Sequence, residues 1–122
     1  MRRLVICAFI VATLPGVSHA QDVPTEVGQC VETSIKEIAS LLDGVPDSGD
    51  AVVYANDIYG VSYDQIDTLR NSRVGDPIKL CLTVLPEDCP PGDDRGKFYS
   101  ALNERTKETW ELPDAEHMCG GA

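Results

Sequence analysis

The residues with the widest chemical scope are Cys30, Cys81, Cys89 and Cys119, the last preceded by His117 and Met118. A fifth cysteine, Cys7, lies in a segment that reads as removed on export. An even number of cysteines in a small exported domain reads as two disulfides. The expected pairing is Cys30–Cys81 with Cys89–Cys119, which ties strand to strand and loop to tail. Cys81–Cys89 with Cys30–Cys119 is nearly as good. Either framework contributes about 2–4 kcal/mol per bridge. Were the thiols free, His117, Met118 and Cys119 would form a soft set suited to copper(I), with Asp114 and Glu116 beside them. Zinc favours paired spacings such as Cys-x₂-Cys, and here Cys81 and Cys89 are eight apart. The expectation is no metal and no cofactor, with those three tail residues as the ligands of a periplasmic metal-handling alternative.

Other chemistries find less to work with. Gly-x-Ser-x-Gly does not occur, and His117 is the one histidine beyond residue 20, so a Ser–His–Asp site would depend on a tail imidazole. The absence of Cys-x-x-Cys weakens thiol–disulfide exchange. Asp43, Asp47 and Asp50, and Glu87, Asp88, Asp93 and Asp94, offer hard oxygens without EF-hand spacing and read as solvated acidic loops. These absences argue against an enzyme. The aromatic signal remains: Tyr54, Tyr59, Tyr63, Phe98, Tyr99 and Trp110 all fall on expected hairpins. Trp110 and Phe98 suit the core. Tyr59 and Tyr99, with Arg95 and Lys97, form the candidate partner-binding face.

Charge and targeting narrow the partners. Arg2 and Arg3, an apolar run of about 11 residues from Leu4, and Ser18-His19-Ala20 make residues 1–20 a cleavable signal peptide, too short for a span of ~20 residues. Removing it leaves eight basic against twenty acidic residues, a formal charge of −12 on a single domain, 21–122. Such a surface repels nucleic acid and anionic lipid, so the expected partner is a protein or small ligand, cationic where electrostatics matters. The expected location is the periplasm or the outside of the cell, with no membrane insertion after cleavage.

The elements that must position these groups are mostly strands. Residues 27–42 admit two readings. Val31, Ile35, Ile38 and Leu42 recur at helical spacing, while Val31, Thr33 and Ile35 also alternate onto one face of a strand, the reading slightly preferred. Residues 43–50 read as a Gly/Pro/Asp/Ser loop. Residues 51–55 and 58–63 flank Asn56-Asp57, a turn pair that tolerates left-handed backbone. Residues 64–73 read as a loop or one helical turn. From Ile78 to Leu85, Ile78, Leu80, Leu82 and Val84 alternate as a half-buried strand. After the loop 86–96, residues 97–102 and 108–112 form a hairpin about 103–107. The expected fold is mainly β: a small, closed or nearly closed antiparallel barrel of five or six strands, with or without one short helix, stapled by two disulfides.

Residues 81–122, with Cys-Pro-Pro-Gly-Asp at 89–93, Arg-Gly before an aromatic strand, a lone Trp and a His-x-Cys-Gly-Gly tail, resemble an uncharacterised group of small exported bacterial proteins. That resemblance implies export and a compact cysteine-linked domain, and no function. By class the chain is also similar to bacterial inhibitors of host lysozyme, small exported β barrels that insert a Ser-Gly loop with a nearby Tyr and Lys. Asp47-Ser48-Gly49-Asp50 before Tyr54 is the part of that pattern present here. The function expected is a non-catalytic exported binding domain, with an inhibitor of a cationic lysozyme-type enzyme as an alternative.

Overall fold

In the computed structural model, which describes Ile10 and residues 22–121, the chain forms six antiparallel strands and one helical turn. The expected signal peptide, residues 1–20, lies outside the described residues apart from Ile10. Strand β1 runs from Cys30 to Leu42 and β2 from Val45 to Tyr54. The ambiguous first segment is thus a strand, with Thr33 and Ile35 buried on its inner face. The loop expected at 43–50 is largely absent. Asp43-Gly44 alone turns the chain, Gly44 at φ 73°, and β2 begins directly after it. Asp-Gly is among the strongest two-residue hairpin signals because both positions accept φ > 0. Pro46 to Gly49 form a bulge in β2, between the pairs Leu42↔Val45 and Ser40↔Asp50.

Strand β3, Tyr59–Ser62, follows the expected Asn56-Asp57 turn, where Asp57 takes φ 64°. The turn is held from within by the Asn56 side chain, whose Oδ1 accepts from the Ile58 amide. A short helix, α1, spans Asp67–Arg70 inside the segment expected to be a loop or helical turn. Strands β4 (Pro77–Val84), β5 (Phe98–Asn103) and β6 (Thr109–Pro113) complete the chain.

The spatial order is β3-β2-β1-β4-β5-β6. Its organising feature is β1, long enough to serve two neighbours. Cys30 to Ser34 pair with β4, and Ile35 onward pairs with β2. At the changeover Ile35 donates its amide to Asp76 and accepts from Gly75, so the switch leaves no backbone group stranded. The two halves wrap over one core of Ile35, Val52, Tyr54, Leu69, Ile78, Leu80, Leu82, Tyr99, Ala101, Trp110 and Leu112. The curl does not close. β3 and β6 end the sheet as edge strands, approaching each other without pairing, so the expected barrel is an open one.

Both disulfides have the expected connectivity. Cys30 and Cys81 face each other directly across β1 and β4, with Cα atoms 4.0 Å apart. Cys89–Cys119 joins the 86–96 loop to the tail. That junction has further ties: the Gly120 amide donates to Asp93, the Cys119 amide to the Arg95 carbonyl, and the Gly96 and Lys97 amides to Asp114. Because these bonds survive loss of the bridge, the double change Cys89→Ser with Cys119→Ser is expected to cost about 2 kcal/mol, the low end for a bridge of this loop size. Chemical denaturation would show it, with near-ultraviolet circular dichroism of Trp110 unchanged because its indole bonds to Tyr54 and to no residue of the clasp.

Candidate functional site

The expected partner face does not assemble. Tyr99 is 5% exposed, sharing the inner face of β5 with Ala101 and Asn103, so the outward aromatic is its neighbour Phe98, which is half-buried. Burial, with Asp114 and Asp94 nearby, pushes the Tyr99 phenol up to about 12. Arg95 is committed within the clasp, its guanidinium forked onto Asp93 at 2.8 and 2.9 Å. That pairing, with the Gly120 amide, holds the Asp93 carboxyl well below the usual range. Lys97 pairs with Asp94 at 2.7 Å. Tyr59 is 53% exposed on β3 and has no ion-pair partner among the described residues, whereas Arg95, though its side chain is 46% exposed, is held by Asp93.

The tail ligands fare similarly. Cys119 Sγ is bonded to Cys89, so the His117-Met118-Cys119 set lacks its thiolate. Met118 lies over Gly96, where a Cβ would meet its thioether. Among the described residues no group of three or more His, Cys, Asp or Glu side chains is arranged to hold a metal ion. In the Ser-Gly segment, Ser48 Oγ donates to the Val45 carbonyl and accepts from the Leu42 amide. Gly49, at φ 126°, packs so tightly on the Ser62 carbonyl that a Cβ would collide with it.

A different surface emerges where the sheet fails to close. Between β3 and β6 lies a cleft of about 390 Å³, lined by Leu41, Val61, Tyr63, Ile66, Leu112 and Pro113 with Asp64, Glu111 and Glu116 among them. Its volume falls at the small end of ligand pockets. The inner end is sealed where Gly60 meets Leu112: a Cβ on Gly60 would sit 3.3 Å from that of Leu112. Tyr63, just beyond β3, also lines the cleft and is 62% exposed. The charged residues lining the cleft are all carboxylates.

Asp50 fixes one wall. Its carboxylate, 4% exposed as a residue, accepts from the Ile66 amide at 2.6 Å and from Arg70 at 3.0 Å. Burial alone would raise this carboxyl, and the bonds from Arg70 and Ile66 outweigh it, so Asp50 stays charged below its ordinary pKa. The segment from Ser62 to Arg70 is thereby strapped to β2. Thr68 Oγ1 then ties it to β6 through the Thr109 carbonyl at 2.9 Å. The wall is tethered at both ends although it is mostly loop.

Sequence reasoning named none of the cleft's apolar residues as a site. Comparison with family models, curated proteins and solved structures found no match to this chain. The class it defines is therefore read from its own geometry: a disulfide-linked open β sheet with an acidic-rimmed apolar cleft at the seam between its edges.

Proposed function

We propose that this chain is a non-catalytic binding domain, exported to the periplasm or secreted, whose ligand face is the cleft between β3 and β6. The observation carrying the reading is an apolar floor bordered by carboxylates alone, held open by a wall tethered at both ends. Two disulfides suit an oxidising compartment. Four oxidised cysteines and an exposed tail imidazole favour recognition over nucleophilic chemistry. The net negative charge attracts cationic partners and speeds their encounter.

A photo-crosslinking phenylalanine analogue in place of Tyr63, in cells exporting the full chain, tests this. A discrete adduct from position 63 is expected, and none from the same analogue at Val74, which is 65% exposed and not among the cleft-lining residues. Equal adducts at both positions, or none at 63, would sink the cleft as a binding face. An inhibitor of a cationic lysozyme-type enzyme is a second reading, favoured by the same acidic rim. It requires that the protein slow cell-wall hydrolysis by such an enzyme, and that salt on the order of 0.3 M relieve the inhibition.

A further inference from the structure

The open edges of the sheet carry information that side chains alone do not. In an antiparallel pair, successive residues point their backbone groups alternately toward the neighbouring strand and away from it. In the β2–β3 hairpin the Tyr54 amide donates to the Ile58 carbonyl. The register pairs Val52↔Gly60 and Asp50↔Ser62 follow in the same phase, so Val61 directs its N–H and C=O outward. On β6 the bonds Asn103 to Glu108 and Asp114 to Lys97 set the phase. Thr109, Glu111 and Pro113 then direct their groups away from β5. The Thr109 carbonyl confirms this, since it receives the Thr68 hydroxyl from α1.

Tyr59 shares the outward phase of Val61 but lies outside the cleft lining, and much of the remaining edge is blocked. α1 caps the Thr109 end of β6, Pro113 has no N–H to offer, and Gly60 packs on Leu112. Among the described residues, the edge positions Val61 on β3 and Glu111 on β6 pair with no further strand, and both line the cleft. An exposed strand edge that is neither paired nor covered invites another chain. Here it lies beside an apolar floor that accepts a side chain, with carboxylates to either side. A second copy of this chain would bring its own excess of acidic groups to the same rim, so self-pairing is disfavoured.

Resting on the reading of the cleft as the ligand face, we propose that its occupant is an extended, cationic polypeptide segment, bound by strand addition to the Val61 edge of β3. One apolar side chain of the segment enters between Val61, Ile66 and Leu112. Flanking Lys or Arg side chains meet Asp64, Glu111 and Glu116 at the rim. Backbone bonds supply affinity and the alternation of apolar and basic residues supplies specificity, the division of labour general to strand addition.

The test uses the full disulfide-bonded protein as isolated after export, ¹⁵N-labelled, and three probes: a short peptide alternating Val and Lys, its Val–Glu counterpart, and the Val–Lys peptide N-methylated on alternate residues. The Val–Lys peptide is expected to shift the amides of Val61, Tyr63 and Glu111 and to slow hydrogen exchange at Val61. N-methylation removes edge-directed donors and should weaken binding about tenfold, the equivalent of one or two backbone hydrogen bonds. The Val–Glu peptide should leave the spectrum unchanged. Glu111→Arg, at an exposed position, should weaken the Val–Lys peptide while leaving the unbound spectrum otherwise intact. Equal affinity for the methylated peptide, shifts centred away from the cleft, or no binding of the Val–Lys peptide would each overturn strand addition. A crosslinked adduct from position 63 alongside any of those results would leave the binding-domain reading standing, whereas loss of both would remove the two together.

Discussion

Replacing Asp76 by alanine is expected to lower unfolding stability by about 3 kcal/mol, because one buried carboxylate organises two turns at once. Asp76 closes the turn before β4 and is 5% exposed. Its oxygens accept from the Arg73 amide at 2.8 Å, from Asn103 Nδ2 at 2.9 Å and from both Nε and a terminal nitrogen of Arg105. Asn103 is fully buried at the end of β5, and its Oδ1 in turn accepts the Arg105 and Thr106 amides of the β5–β6 turn. Removing the carboxylate takes away one of the two partners of a buried amide group, whose remaining bond goes to Ser72. The Arg105 side chain is 39% exposed and regains water, which keeps the cost at the lower end for a broken buried pair.

The same residue gives a pH signature. The Arg105 guanidinium, outweighing desolvation and joined by Asn103 and the Arg73 amide, holds the Asp76 carboxyl well below the ordinary carboxylate range. A depressed folded value means that its stabilisation is full above the unfolded pKa of ~4 and is lost as pH falls through the folded one. Asp50 and Asp93 have the same sign. Glu32, exposed on β1, has the opposite one, since local desolvation and the nearby Glu104 raise it. Denaturant midpoints of the wild type should therefore fall below about pH 4, and those of Asp76→Ala should fall less steeply. Parallel curves for the two proteins from neutral pH into acid would show that Asp76 is not the titrating support.

What could be read in advance depended on how local the controlling physics was. Asn56-Asp57 was legible because a turn needs residues that tolerate left-handed backbone, a property of two adjacent side chains. The alternation in Ile78 to Val84 was equally local, and the position of Cys81 within it made a bridge to the first segment plausible. Residues 43–50 misled because Gly, Pro, Asp and Ser accumulate in bulges as well as loops. Here only Asp43-Gly44 turns the chain, while Ser48 and Asp50 direct their polar groups into the fold. Tyr99 and Phe98 could not be ordered by hydrophobicity. The parity of β5 is anchored by Asn103, a polar residue drawn fully inside by Asp76 and Ser72, and no hydrophobic pattern places an asparagine in a core. The cleft was the least legible feature. It exists because two edges about fifty residues apart in the chain approach without pairing. Only its consequences, exposed Tyr63 and half-buried Ile66 after a short strand, left a trace in the sequence.

That unsealed seam places an unusual demand on the core behind it, and Trp110→Ala is expected to be the most damaging single change, at about 4 kcal/mol. Trp110 lies on β6, 6% exposed, and its indole Nε1 donates to the Tyr54 hydroxyl at 2.8 Å. Tyr54 is 1% exposed on β2, the neighbour of β3. The pair thus bridges the two ends of the sheet through the interior, where the backbone ladder leaves them unjoined. Burial pushes the Tyr54 phenol well above its ordinary pKa, so it remains a neutral hydroxyl able to accept that bond. Truncation to alanine removes a large packed ring and strands the hydroxyl. Trp110→Phe keeps most of the ring and loses the donor, and should cost about 2 kcal/mol. Combined with Tyr54→Phe it should cost less than the sum of the two single changes, by about 1 kcal/mol. The alanine variant should also weaken the Val–Lys peptide, since Leu112 loses a neighbour on the strand that seals the cleft's inner end. If the phenylalanine variant were as stable as the wild type, or the double change strictly additive, the hydrogen bond would not be what holds the two edges together. Ring packing alone would then have to account for the open sheet's stability.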